Sequence, residues 1–103
     1  MVHVDVARFD RRAATYHRGW RGEFHARVVA TSADVALRVA PQPTAVLDVG
    51  CGTGALLGTL AARLPAEVEL IGVDPAAAMV EAARAALAGR AGARVERAPA
   101  ERL

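Results

Sequence analysis

The chain has 103 residues, 53% of them hydrophobic and 23% charged, and its 13 basic and 11 acidic side chains leave a net charge of +2. That balance excludes disordered and fibrous classes, and acids interleaved among the arginines leave no dense basic stripe of the kind nucleic-acid binders carry. One cysteine, Cys51, excludes an intrachain disulfide and a thiolate-rich metal site and fits a reducing, cytoplasmic setting; no stretch reads as a secretory signal or a membrane span.

Every basic residue is Arg and none is Lys, a composition bias that carries no functional reading, so the arginines are expected on a solvated surface. The four aromatics Phe9, Tyr16, Trp20 and Phe24, followed by Val28, recur at helical spacing. With Ala13 in the gap they predict one or two amphipathic helices over roughly residues 5–30, with that stripe facing inward. Gly19 and Gly22 weaken the middle of the helix. Thr31 or Ser32 offers a cap for a further helix carrying Val35, Leu37 and Val39, which Pro41 and Pro43 would end. The chain reads as one partial domain, with residues 1–43 its helical cap and linker and residues 44–103 the first half of an α/β core.

From residue 45 the chain changes to short apolar runs punctuated by Gly and Pro. Ala45 to Val49 reads as a buried strand, Gly50 to Gly54 as a tight loop and Ala55 to Leu64 as a helix. Val68 to Val73 is a second strand, Ala76 to Ala88 an alanine-rich helix stopped by Gly89, and Ala93 to Arg97 a third, edge-like strand. Alternating strands and helices predict an α/β fold with a parallel sheet.

Three glycines at alternate positions, Gly50, Gly52 and Gly54, stand between a buried strand and a helix. Without Cβ atoms they let the backbone turn sharply and lie directly against a ligand, and the helix start offers unpaired N–H groups. The loop also satisfies the loose dinucleotide pattern, so glycines alone leave the ligand open. Asp48, two positions earlier, separates the two readings. A carboxylate at the end of a buried strand repels a pyrophosphate and suits a cation. S-adenosylmethionine, with its sulfonium and α-ammonium, matches that charge pattern, although a structural carboxylate accepting loop N–H bonds is also a reading of Asp48. Asp74, at the end of the second strand, can accept both hydroxyls of a ribose or can cap the next helix.

The run VLDVGCGTG at 46–54, followed by GVDPAAAMVEAAR at 72–84, resembles class I S-adenosylmethionine-dependent methyltransferases, especially the small-molecule branch similar to ubiquinone and menaquinone biosynthesis enzymes. Phe9-Asp10 and Ala14-Thr15-Tyr16-His17 look like that family's leading helix. The resemblance implies a Rossmann-like sheet, truncated here after its third strand and preceded by helices. It implies that Asp48, Gly50, Cys51 and Gly52 surround the methionyl part of the cofactor, with Gly54 completing the loop and Tyr16 reaching over the amino-acid end. Asp74 would hold the ribose, Pro75 and Met79 would pack near the adenine, and Ala100 would donate its backbone N–H to the ring. For Met79 and the aromatic stripe ordinary core packing is an equal reading. Pro99 stands where the family often has an Asp that bonds the adenine amino group, and His17 replaces a common Asp.

No catalytic base and no metal ligand is assigned, and His3, His17 and His25 are read as surface or packing residues. The expected activity is methyl transfer from S-adenosyl-L-methionine to a small-molecule acceptor, the chain supplying the cofactor-binding part. The alternatives are a non-catalytic fragment or binding module of the same fold and, more remotely, an NAD(P)-dependent oxidoreductase. In the family a fourth strand pairs with the first. Without it Val46, Leu47 and Val49 would lie on an open apolar edge, so the chain reads as a truncated gene product expected to aggregate or to self-associate through that edge. A cooperative monomeric unfolding transition would contradict that expectation.

Overall fold

The computed structural model describes residues 19–99, with helix α1 at Gly19–Val39, strand β1 at Ala45–Val49, helix α2 at Ala55–Arg63, strand β2 at Glu69–Asp74, helix α3 at Ala77–Ala86 and strand β3 at Ala93–Arg97. The three strands form one parallel sheet in the order β1-β2-β3, with Val46 opposite Leu70 and Gly72 opposite Val95. The predicted strand and helix order is therefore present, with bounds shifted by one or two residues.

Leu70, Gly72 and Val95 alternate toward one face, where Leu57 of α2 and Val80 and Ala83 of α3 join them in the core. Two right-handed crossovers progressing in the same direction put both helices on the same side of a sheet. The opposite face carries Leu47, Val49, Ile71 and Val73; Val73 is buried, whereas Leu47 is 55% exposed. No strand pairs with the outer edge of β1 among the described residues.

Gly72 decides how closely the layers approach. A Cβ there would lie 2.9 Å from Cys51 Sγ and 3.0 Å from Leu57 Cδ1. Its absence lets the loop after β1 and the start of α2 rest directly on the middle strand.

Helix α1 departs from expectation in two ways. It runs unbroken through Thr31 and Ser32, which are exposed mid-helix residues rather than caps, and it includes both glycines. Its packed face is Gly22, His25, Val29, Ala33 and Leu37, whereas Phe24 and Val28, expected to face inward, are exposed; Phe24 is 63% accessible. The small residues Gly22 and Ala33 are buried on this face, and α1 packs on α2; a glycine inside a helix costs roughly 1 kcal/mol. An ion pair of 2.8 Å between Asp34 and Arg63 joins the two helices at the surface, and such exposed pairs contribute about 1 kcal/mol at most. Phe9, Ala13 and Tyr16 of the stripe lie outside the described residues.

Three arginines also hold backbone carbonyls, Arg84 and Arg97 while exposed, as the solvated reading expects, and Arg90 while half-buried. Arg90 donates from Nη1 to the carbonyls of Ala61 (2.9 Å) and Leu64 (3.5 Å) and from Nη2 to those of Pro65 (2.6 Å) and Val68 (3.2 Å). It thereby closes the end of α2 onto the entry to β2. Arg84 clamps α3 to β3 through two bonds to the Val95 carbonyl, and Arg97 donates to the Pro75 carbonyl. A lysine cannot reproduce the Arg90 fork, because one ammonium replaces a planar set of donors. Arg90→Lys is expected to cost about 2 kcal/mol, read as a lower urea midpoint at unchanged slope; an unchanged midpoint would mean that water serves those carbonyls as well.

No helix among the described residues is long and apolar enough to cross a membrane, and none of their His, Cys, Asp and Glu side chains cluster as a metal site would.

Candidate functional site

The carboxyl ends of β1 and β2 meet at the glycine loop, the position where open α/β sheets hold ligands. Gly50, Gly52 and Gly54 have φ of 77°, 57° and 82°, a left-handed conformation that only glycine adopts routinely. The N–H groups of Gly50 and Cys51 both donate to the Val73 carbonyl, at 2.7 and 3.1 Å, and Gly54 N–H donates to the Cys51 carbonyl at 3.0 Å. The loop is thus pinned to the end of β2 before it enters α2.

Asp74 is the second pin. It is 4% exposed, its Oδ2 accepts the Gly52 N–H at 3.0 Å, and its Oδ1 accepts the Ala76 N–H at 2.9 Å. One carboxylate therefore ties the loop after β1 to the turn after β2. The capping alternative is realised in a modified form, since α3 begins at Ala77 with Ala76 as its N-cap and Asp74 bonds the backbone just before it. Each oxygen keeps a second lone pair for a ligand.

Asp48 has a different environment. It accepts no hydrogen bond and makes no ion pair among the described residues. Burial, and then the nearby negative charge of Asp74, push its carboxyl up to about 6. The structural alternative, a carboxylate accepting loop N–H bonds, is the role of Asp74 instead. Cys51 is buried, and burial followed by the charges of Asp48 and Asp74 pushes its thiol up to about 12, so it is a neutral side chain that donates weakly to the Gly52 carbonyl at 3.7 Å. It has no thiolate character at neutral pH.

A cleft of about 190 Å3 opens beside the loop. One wall is His25 and Val29 of α1; the others are Asp48, residues 50–53 and the first turn of α2 at Ala55 and Leu56. The structure thus brings together Asp48, Gly50, Cys51 and Gly52, with Gly54 at the helix entry and Asp74 behind them. His25, assigned to surface or packing from sequence, lines this cleft; its i+4 spacing to Val29 was the available signal, hidden because the aromatic stripe drew the inward face elsewhere. Pro75 is half-buried beside Arg97, and Met79 is fully buried with no surface for a ligand to touch. Tyr16 and Ala100 lie outside the described residues, as do His3 and His17.

The chemistry of this donor set is acidic. Among the described residues, one carboxylate on the cleft wall, a second behind the loop and a backbone cradle with no arginine beside it repel a polyphosphate and attract a cation.

Residues 46–103 match the model of the methyltransferase domain family. The chain belongs to that family. Sixty of its residues are 38% identical to a carboxy-S-adenosyl-L-methionine synthase from a Nitratiruptor species, a match covering 58% of this chain and 25% of the synthase. Among solved structures, an amino pentose methyltransferase from Micromonospora echinaspora with S-adenosylmethionine bound is 32% identical, with a TM-score of 0.54 over 95% of this chain and 36% of that one. The magnesium protoporphyrin IX methyltransferase of Synechocystis PCC 6803, with bound S-adenosylhomocysteine, shares the fold at a TM-score of 0.70 and 22% identity, over 94% of this chain and 48% of that one. The chain thus spans between a quarter and a half of these relatives. The family match replaces the nicotinamide alternative and agrees with the charge argument made from Asp48.

Proposed function

We propose that this chain is the cofactor-binding part of an S-adenosylmethionine-dependent methyltransferase that acts on a small-molecule acceptor. The observation that carries the reading is Asp48, a half-buried carboxylate without a partner among the described residues, facing a loop whose three left-handed glycines leave room for a ligand against the backbone. A cation arriving there compensates a charge that the fold has paid to desolvate. The 32% identity to a methyltransferase of an amino sugar supports the small-molecule acceptor.

The residues present fit S-adenosylmethionine. Asp48 and the loop at Gly50, Cys51 and Gly52 would hold the amino-acid end, and Asp74 would accept ribose hydroxyls through its remaining lone pairs. Pro75 would flank the adenine, with Met79 stiffening the wall from within. Tyr16 and Ala100 complete the proposed set at the amino-acid and adenine ends. When bound, the cofactor supplies a methyl group on a cationic sulfur. The chain's own contribution is to fix the donor in position, which is where much of the rate of such a displacement originates. The neutral Cys51 thiol takes no part in nucleophilic chemistry, and a free buried cysteine suits the cytoplasmic setting proposed for the protein.

Calorimetric titration with S-adenosylhomocysteine and with NAD tests this reading. Saturable binding of the first and none of the second is expected; NAD binding without S-adenosylhomocysteine binding would overturn it.

A further inference from the structure

We propose that the outward face of α1 is a self-association surface, on which α1 of a second copy of this chain docks antiparallel to the first. The inference is independent of the cofactor reading, since none of the residues it uses lines the cleft.

Among the described residues five large hydrophobic side chains are exposed, and four of them, Phe24, Val28, Val35 and Val39, belong to α1. At about 100° per residue these four fall with Thr31 in an arc of about 80°, roughly 140° around the helix from the packed face of Gly22, His25, Val29, Ala33 and Leu37. Apolar side chains scattered singly over a surface need no explanation. A row of them along a 21-residue helix marks an interaction surface, and α2 packs on the other side.

The charges beside the row identify its occupant. Glu23, Arg27, Asp34 and Arg38, all exposed, lie along one flank of it, and their signs alternate from negative to positive along the helix. An antiparallel copy related by a twofold axis presents the same flank with its signs reversed in order, so every charge meets its opposite. A crossing between Ala30 and Thr31 sets Arg27 against the partner's Asp34 and Glu23 against the partner's Arg38, each pair occurring twice. In a parallel pair the two charged rows lie on opposite sides and none of these charges meets another.

The apolar row has the same symmetric spacing, steps of four, seven and four residues. In this register Phe24 fits between the partner's Val35 and the partner's Val39, and Val28 between the partner's Thr31 and the partner's Val35, as interlocking helix ridges require. Asp34 already holds Arg63 through Oδ1 at 2.8 Å, which leaves its other oxygen for the partner's Arg27. Glu23, Arg27 and Arg38 make no ion pair among the described residues. One helix per copy is a small interface, so the dimer forms in a concentration-dependent equilibrium. Because the packed face of the same helix supplies His25 and Val29 to the cleft, the second copy braces that wall from behind.

Sedimentation velocity of the full chain across protein concentration, at low salt, tests the proposal, and a reversible monomer–dimer equilibrium is expected. Arg27→Asp and Asp34→Arg each place like charges in both symmetric pairs and should weaken the dimer by about 10-fold or more. Both side chains are exposed, and circular dichroism checks that each variant keeps its helices. An equimolar mixture of the two variants restores opposite charges in both pairs and should associate within about 3-fold of the parent. An effect on the helix itself would not be repaired by mixing. Val28→Glu, which puts a charge into the apolar row, should leave the chain monomeric throughout. A parent chain that is monomeric at every concentration, charge variants that associate as the parent does, or a mixture that fails to recover would each overturn the proposal. So would a dimer that Leu47→Lys on the sheet abolishes and Val28→Glu leaves intact.

Discussion

Asp48→Asn is expected to make the chain more stable at neutral pH and its affinity for S-adenosylhomocysteine at least about 100-fold worse. The carboxyl titrates at about 6 in the folded chain against an ordinary value of 3.8, so between those values the folded state binds more protons than the unfolded one. Its contribution to stability is therefore full below 3.8, falls as pH rises toward 6, and stays at its lowest above that. A shift of this size corresponds to up to about 3 kcal/mol. Asn keeps the shape, removes the charge, and lies in a half-buried position where its amide still reaches water. Urea unfolding of parent and variant at pH 4 and pH 7 checks the argument. The variant's advantage should be present at pH 7 and nearly absent at pH 4. An equal difference at both pH values, or unchanged S-adenosylhomocysteine binding, would remove the claim that this acid is held desolvated for a cation. Stability lost to a ligand-ready charge is a common trade at binding sites.

Gly54→Ala is the second large effect, a loss of about 3 kcal/mol or on the order of 10–20 °C in melting temperature for a domain this size. Two costs add. At φ 82° a Cβ crowds its own carbonyl, at about 1 kcal/mol or more. That Cβ would also stand 3.0 Å from Ala83 Cα and 3.1 Å from Ala83 Cβ. The first of these is backbone, which cannot rotate away, and Ala83 is fully buried, so α3 must back off from α2. Adding Ala83→Gly removes only the Cβ contact and should recover part of the loss. Gly58→Ala, one turn further along α2 with nothing within 4 Å of its added Cβ, should stabilise by about 1 kcal/mol through helix propensity. Thermal unfolding followed by circular dichroism compares the three; similar behaviour of Gly54→Ala and Gly58→Ala would show that the tight crossing of α2 and α3 contributes little.

Legibility of the chain from sequence followed the range of the interactions. Strand and helix positions after residue 44 were readable because apolar runs, glycines and prolines act within a few residues of themselves, and the loop at 50–54 with its acid was readable for the same reason. Helix α1 was misjudged because its inward face is set by what it packs on. Phe24 and Val28 have the stronger hydrophobic pattern, yet the described helix rests on Gly22, Val29 and Ala33, whose value lies in being small or fitting the partner's surface. Arg90 was unreadable in the same sense, since its four acceptors are 22 to 29 residues away.

By itself the sequence determined a parallel α/β core, a glycine loop at its strand ends and an acid suited to a cation, because backbone conformation and charge are properties of neighbouring residues. Only the tertiary structure decided the separate tasks of the two acids. Asp74 is engaged on both oxygens by backbone N–H groups and Asp48 is left without a partner, a difference that depends on which backbone the fold brings against each carboxylate. The same reason placed His25: no local pattern distinguishes a packing histidine from one that the crossing of two helices carries to the mouth of a cleft.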